Sequence, residues 1–361
     1  MKKVLFINDF LSGGGTENSL GALTEALADK FDITVLTIYR HKDPYLILDR
    51  RIKYKYLFLK RECPDFLLRQ LRRVRRRLFI AFHRYDIAVS YKEGPCAKLC
   101  SKIKSSRKFA WIHADFSTFH WTDGYFKKGE EKRLLESFDK VIAVSEKSKD
   151  GLVSAVRIEK EKISVIPNII DKEKIEKLSK EKVNIKKPEM LLLSIGRLDS
   201  IKCYDGYLEI CRKLWNEGYH FEVWLVGDGP MRSLLKSYID KFGLINVKLI
   251  GNIENPYPYL KMADWFVHPS HSEGFGIVLA ESAVLHVPIL STDCGIAREV
   301  IGENGGIVVN DDAALEMGLR RVLQNKELKK DAETYLKEHE PTYDKNYVAG
   351  MVKKLFEAED I

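Results

Sequence analysis

Two carboxylates raise the first chemical question. Glu273 and Glu281 stand in the run His271-Ser272-Glu273-Gly274-Phe275-Gly276-Ile277-Val278-Leu279-Ala280-Glu281-Ser282. The apolar stretch Trp265–His268 just before it reads as a buried strand, and the residues after Gly276 read as a helix. Gly274 and Gly276 permit close backbone approach, and the first N–H groups of a helix attract an anion. Glu281 lies about six residues into that helix, roughly 9 Å along its axis. The spacing can set one carboxylate beside a sugar and the other beside a ribose, with a diphosphate between them. A blander reading makes Glu273 a favourable charge at a helix start and Glu281 part of a solvated face. Two glycines opening a buried helix would then be a poor structural choice.

Three other stretches carry residues of the right kind. In Ser194-Ile195-Gly196-Arg197-Leu198-Asp199-Ser200-Ile201-Lys202, two cations five residues apart follow a glycine at a strand end. Arginine can grip a diphosphate bidentately and lysine acts as a point charge; taken alone, the pair is equally a pair of solvated cations. Ser12-Gly13-Gly14-Gly15-Thr16-Glu17-Asn18 is a glycine turn after the first strand. It is not a dinucleotide fingerprint, because Asn18 stands where a third spaced glycine would fall. Trp111-Ile112-His113-Ala114-Asp115 puts His113 at a strand end, where it can bond a substrate hydroxyl or simply serve the core.

These stretches must be held by something. The opening Val4–Ile7, the glycine turn, a helical segment over 17–30 and Asp32–Ile38 make a βαβ unit, hence a parallel sheet with right-handed crossovers. Further strands are expected at Ile87–Ser90, Phe109–His113, Val141–Ser145 and Ile163–Pro167. The second half repeats the logic over Met190–Gly196, Phe221–Gly227, Val247–Gly251, Trp265–His268, Pro288–Thr292 and Gly306–Val309, with helices such as Met231–Phe242 between them. Runs this apolar suit strands covered on both faces. The expectation is an α/β protein with two Rossmann-like doubly wound domains, residues 1–168 and 169–342, and ligands outside the carboxyl ends of the strands. The tail from Ala313 reads as helical with a break at Pro341, and the last helix, about 343–361, is expected to return to the first domain.

Composition sets the outer limits. The chain has 361 residues, 45% hydrophobic and 31% charged, with a net charge of +8. That is enough for two cores and excludes disordered, collagen-like and small disulfide-scaffold classes. The apolar run at the N-terminus is too short for a signal peptide, and no stretch reaches the ~20 residues needed to span a bilayer. The six cysteines, Cys63, Cys96, Cys100, Cys203, Cys211 and Cys294, follow no staple pattern and read as reduced thiols, with no metal site expected at Cys96 and Cys100.

Taken together, the four stretches resemble the retaining nucleotide-sugar glycosyltransferases of family GT4, which have the GT-B fold of two Rossmann-like domains facing a central cleft. The resemblance runs from Val4 to about Val309 and rests on Glu273–Glu281 and on Gly196-Arg197 with Lys202, while Val165-Ile166-Pro167-Asn168 resembles the family's interdomain segment. It implies that Arg197 and Lys202 hold the donor diphosphate and neutralise the leaving group. Glu281 would bind the ribose. Glu273 with the amides of Gly274, Phe275, Gly276 and Ile277 would hold the transferred sugar and phosphate. Gly14 and Gly15 would let the first domain approach the donor, His113 would touch the sugar, and Ile253 would meet the base through its backbone. The catalytic set would be His113, Glu273, Arg197 and Lys202. The resemblance also implies transfer of a hexosyl or N-acetylhexosaminyl group without a metal or cofactor, with a UDP-sugar favoured as donor. The chain contains no Asp-x-Asp motif. One departure stands out: Cys203 follows Lys202 where the family usually has glycine.

The basic charge is local. Residues 51–108 hold 18 Lys and Arg against 4 Asp and Glu, a balance of +14, so the rest of the chain nets −6. Within this segment Leu67, Leu71, Val74 and Leu78 form one helical stripe, crowded by Arg69, Arg72, Arg73, Arg75, Arg76 and Arg77. A basic amphipathic helix reads as a membrane-surface element. Packing of the stripe on the domain core and binding of nucleic acid are the other readings, and no nucleic-acid signature accompanies it. The expected protein is cytoplasmic and peripheral on the inner face of the cell membrane, with Arg69, Arg72, Arg73 and Arg76 at the surface. Its expected acceptor is a lipid-linked glycan of bacterial surface polysaccharide synthesis. A transferase to a soluble or protein acceptor, a phosphorylase and a silent nucleotide-sugar-binding protein are the alternatives.

Overall fold

The computed structural model describes residues 1–42, 47–59, 66–341 and 343–358, with the side chains of 66–68 excepted. Cys63 and the side chain of Leu67 therefore lie outside the described residues. The chain divides into two compact units, one of residues 1–169 with 343–361 and one of residues 170–342.

In the first unit the strands are β1 (Lys2–Asn8), β2 (Phe31–Tyr39), β3 (Lys53–Phe58), β4 (Arg84–Ser90), β5 (Lys104–Ile112), β6 (Lys140–Ala143) and β7 (Ile163–Val165). The helices are α1 (Gly15–Leu27), α2 (Phe66–Phe82), α3 (Pro95–Cys100), α4 (Glu130–Glu136) and α5 (Glu146–Val156). All seven strands are parallel, in the order β3-β2-β1-β4-β5-β6-β7. The central strands are uniformly apolar because helices cover both faces. β3 was not among the expected strands. Its sequence, KYKYLF, alternates polar and aromatic residues, as an edge strand with one wet face does.

The second unit begins with α6 (Lys172–Leu178). It alternates β8 (Leu191–Ile195), α7 (Tyr204–Asn216), β9 (Glu222–Val226), α8 (Arg232–Phe242), β10 (Val247–Gly251), α9 (Tyr257–Met262), β11 (Trp265–His268), α10 (Ile277–Val284), β12 (Ile289–Thr292), α11 (Ala297–Ile301) and β13 (Gly306–Val309), and closes with α12 (Asp312–Gln324) and α13 (Lys326–Glu338). Its six parallel strands run β10-β9-β8-β11-β12-β13. The tail breaks once more than expected, at Asn325, whose side chain caps α13 by accepting from the amides of Glu327 and Leu328.

Each sheet reverses its winding once, between β1 and β4 and between β8 and β11. At such a switch point neighbouring loops leave the carboxyl ends in opposite directions and open a crevice. The loop after β8 carries Gly196, Arg197 and Lys202, and the loop after β11 carries Glu273.

The last helix, α14 (Lys345–Glu357), belongs to the first unit. Asp344 caps it, and Phe356 is fully buried against Phe6, Phe31 and Phe109, with ring centroids 6.2, 5.6 and 5.4 Å away. Lys30–Glu357 and Lys345–Glu25 ion pairs tie both its ends to the α1 region. Phe356→Ala is expected to cost about 3–5 kcal/mol, as buried Phe truncations do. Urea unfolding followed by tryptophan fluorescence checks it.

Candidate functional site

In the second unit the centre of the site is the Glu273 carboxylate. Its Oε1 is met by Lys202 Nζ, from the short 3-10 turn Ser200–Lys202, and by His268 Nε2 at 3.0 Å, from the end of β11. Lys202 and Glu273 keep only 17% of their side-chain surface, and the His268 ring 1%. Burial opposes every charge here, but the partners outweigh it. Glu273 is held down to about 2 by Lys202 and His268. Burial would lower Lys202, yet Glu273 raises it on balance. The same contest lifts His268 to about 8, with Cys294 and Glu273 as the charge-favouring partners. At neutral pH the group is a carboxylate between two cations.

The loop that presents Glu273 is shaped by two glycines. Gly276 caps α10 at φ +85°, where a β-carbon would meet the Leu279 side chain at 2.8 Å. No side chain caps this helix start. Gly295, at φ +51°, lies so close beneath the loop that a β-carbon would stand 2.3 Å from the Phe275 carbonyl oxygen, which already accepts from the Ile296 amide at 2.9 Å. Cys203 stands where the resemblance implies a glycine, and its backbone carries the consequence. It holds φ +52° at the N-cap of α7, a left-handed conformation that strains a residue with a β-carbon.

Not every expected residue joins this centre. Arg197 is exposed and its nearest acidic partner is Asp199, Nε to Oδ2 3.8 Å. Glu281 lies on α10, where its Oε1 accepts from the Tyr257 hydroxyl of α9 at 2.9 Å, and burial lifts its carboxyl to about 7. Ile253 is half-buried in the loop after β10.

His113, Gly14 and Gly15 belong to the first unit. Gly14 is the N-cap of α1 at an ordinary φ of −70°, and Gly15 opens the helix; the left-handed residue of that turn is Gly13, at φ +87°. His113 follows β5, its amide donating to Glu93 Oε2 at 3.2 Å and its ring lying 4.8 Å from Tyr91. Both ring nitrogens are buried without a well-formed hydrogen bond among the described residues. Burial, with Lys92, pushes the ring down to about 3, so it is neutral. Near it, Trp121 Nε1 donates to Glu93 Oε1 at 2.9 Å, and Lys92 bonds both oxygens of Asp9 at 3.0 Å. These residues follow β1, β4 and β5 at the carboxyl edge of the first sheet.

Helix α2 turns different side chains to the protein and to solvent. Phe79 and Ile80 pack against the core of the first unit, and Arg75 donates to the Tyr56 carbonyl at 3.3 Å. Arg72 is half-buried, its guanidinium 5.0 Å from the Phe58 ring centroid. The stripe of Leu71, Val74 and Leu78, continued by Phe82, is more than half exposed along its whole length. It therefore does not serve the core. Arg69, Arg73 and Arg76 are exposed beside it. Among the described residues no helix is long and apolar enough to cross a membrane.

Sequence reading missed His268, Cys294 and Gly295 in the second unit and Asp9, Lys92, Glu93 and Trp121 in the first. The available signal was positional: Asp9, Lys92, Glu93 and His268 end or follow the strands that flank a switch point, where ligands are expected.

The sequence model of "Glycosyl transferases group 1" matches residues 175–339, and that of "Glycosyltransferase Family 4" matches residues 13–174. The two matches together span residues 13–339, so the chain belongs to the family 4 type of glycosyltransferases. An uncharacterised glycosyltransferase of Methanocaldococcus jannaschii is 27% identical over 62% of this chain and 50% of its own length. A Campylobacter jejuni N-acetylgalactosaminyltransferase, named for a diphospho-undecaprenol-linked acceptor, is 28% identical over 60% and 59%. The chain thus spans little more than half the length of these curated relatives. The fold is GT-B: the Anabaena HepE structure, solved with UDP and glucose, superposes with a TM-score of 0.78 over 99% of this chain and all of that one, at 17% identity.

Glu281 gives this family 4 chain a measurable pH signature. A carboxyl raised in the folded state binds its proton more tightly there than in the unfolded chain. Its contribution is greatest below about pH 4.5 and is lost as pH rises to about 7. Glu281→Gln is expected to gain on the wild type by about 1–3 kcal/mol between pH 4.5 and pH 8, read as the difference in melting midpoint at the two pH values.

Proposed function

We propose that the protein is a retaining glycosyltransferase that moves a hexosyl or N-acetylhexosaminyl group from a UDP-sugar to a lipid-linked glycan at an anionic membrane surface. The observation that carries the donor half is the buried Glu273 carboxylate with Lys202 on one oxygen, at the carboxyl end of β11 and beside a helix start opened by Gly276. Breaking the sugar–phosphate bond builds negative charge on the leaving diphosphate and positive charge on the sugar. Lys202, Arg197 and the amides of Gly274 to Ile277 stabilise the first, and Glu273 stabilises the second. Two cations supply the neutralisation that a divalent ion would give, so no metal is assigned to the reaction. Glu281 and Tyr257 offer a carboxylate and a hydroxyl to a ribose, and Ile253 its backbone to the base. Gly14 and Gly15 keep the opening turn of the first unit slim, and neutral His113 holds ring nitrogens ready for a sugar hydroxyl. HepE, solved with UDP, supports the choice of nucleotide, and the C. jejuni relative the choice of acceptor.

A donor that binds only the folded chain raises its melting midpoint, equivalent to about 2.7 kcal/mol at a hundredfold excess over Kd. The expected result, with no metal added, is a rise with at least one of UDP-glucose, UDP-galactose and their N-acetylamino forms, largely lost in Lys202→Ala. Silence across UDP- and GDP-sugars would overturn the reading.

The exposed stripe of α2 carries the membrane half. An amphipathic helix lays its apolar face into the headgroup region, and basic residues beside it add about 1 kcal/mol each on an anionic surface. Co-sedimentation with phosphatidylglycerol-containing vesicles at low salt should retain the protein. Replacing Arg73 and Arg76 with Gln should weaken binding roughly thirtyfold, and Leu78→Asp should do so at any salt concentration. Equal binding to purely zwitterionic vesicles would count against it.

A further inference from the structure

We propose that His268 is a positioning residue of the transfer: its imidazolium keeps Glu273 ionised and in place when Lys202 turns from that carboxylate to the donor's diphosphate. The inference rests on the donor-site reading above. In this structure Lys202 and His268 share a single oxygen of Glu273, Oε1. Their freedom differs. Lys202 reaches it on a flexible four-carbon stem from a three-residue turn. His268 ends β11, registered against Ser291 of β12, with its ring stacked 5.8 Å from Phe266 and the Cys294 side chain favouring its charged form. Lysine can exchange a carboxylate for a phosphate; this histidine cannot follow. Without it, departure of Lys202 would leave a buried carboxylate with no cation, and such a group takes up a proton and stops acting as a base or an electrostatic partner. The charged and titratable groups facing the pair are Lys202, Asp199 and Tyr204 from the β8 side and Cys294 from the β12 side.

His268→Gln retains a donor near the Nε2 position and removes the charge. The assay is release of UDP from whichever UDP-sugar most raises the melting midpoint, with water replacing the phosphate oxygen at the anomeric carbon, followed from pH 6 to 10. The midpoint rise given by UDP should be the same in variant and wild type. Turnover should fall on the order of a hundredfold with KM little changed, the cost typical of a misplaced reacting group. The wild-type kcat/KM, which reports the free enzyme, should decline above about pH 8 as the ring loses its proton, and the variant's should be flat across that range. If His268→Gln does not melt cooperatively, His268→Asn takes its place in the same comparison. Wild-type turnover, or an unchanged alkaline limb, in a variant that still binds UDP overturns this proposal alone. A wild-type midpoint that no UDP-sugar moves overturns it together with the donor-site reading.

Discussion

A carboxylate removed from bulk water must be matched by cations or it will not stay charged, and much of the second unit is arranged to meet that condition at Glu273. His268 must be the last residue of β11 so that its ring can meet the loop that follows the strand. Cys203 must accept a left-handed backbone so that the turn bearing Lys202 can pass directly into α7. Gly295 must lack a side chain so that the loop can lie flat on the segment after β12. None of these features improves a hydrophobic core. Each makes sense as a cost borne to hold two cations within hydrogen-bond reach of one carboxylate oxygen.

The first unit handles polar residues differently at its corresponding edge. Asp9 and Lys92 neutralise each other, Glu93 is held by the Trp121 indole and the His113 amide, and His113 itself is left neutral. One edge therefore concentrates charge around a single carboxylate, while the other presents dipoles and a paired ion. The contrast suits binding partners of different polarity, although both edges come from the same strand order up to the switch point.

Much of the fold was legible because parallel strands buried on both faces are nearly pure apolar runs, as Val4–Ile7 and Trp265–His268 show. β3 escaped because an edge strand with one wet face has no such run. The Glu273–Glu281 stretch was legible because glycines at a buried helix start stand out. His268 was not, because in sequence it is merely the last residue of an apolar strand; only the folded structure reveals that its ring turns toward a carboxylate five residues on. For α2 the sequence displayed an apolar stripe and a basic surround but could not say which face meets the protein. Phe79 and Ile80, off the stripe, make that contact.

The placement of α14 bears on synthesis. The first sheet precedes the second unit in the chain, yet the aromatic ring that seals Phe6, Phe31 and Phe109 is residue 356. As the chain leaves the ribosome, that apolar floor stays uncovered while the whole of residues 170–342 emerges and closes on its own core. The unit made first is thus finished last, and during the interval its bare aromatic face is the surface a chaperone would shield and an aggregate would seed upon.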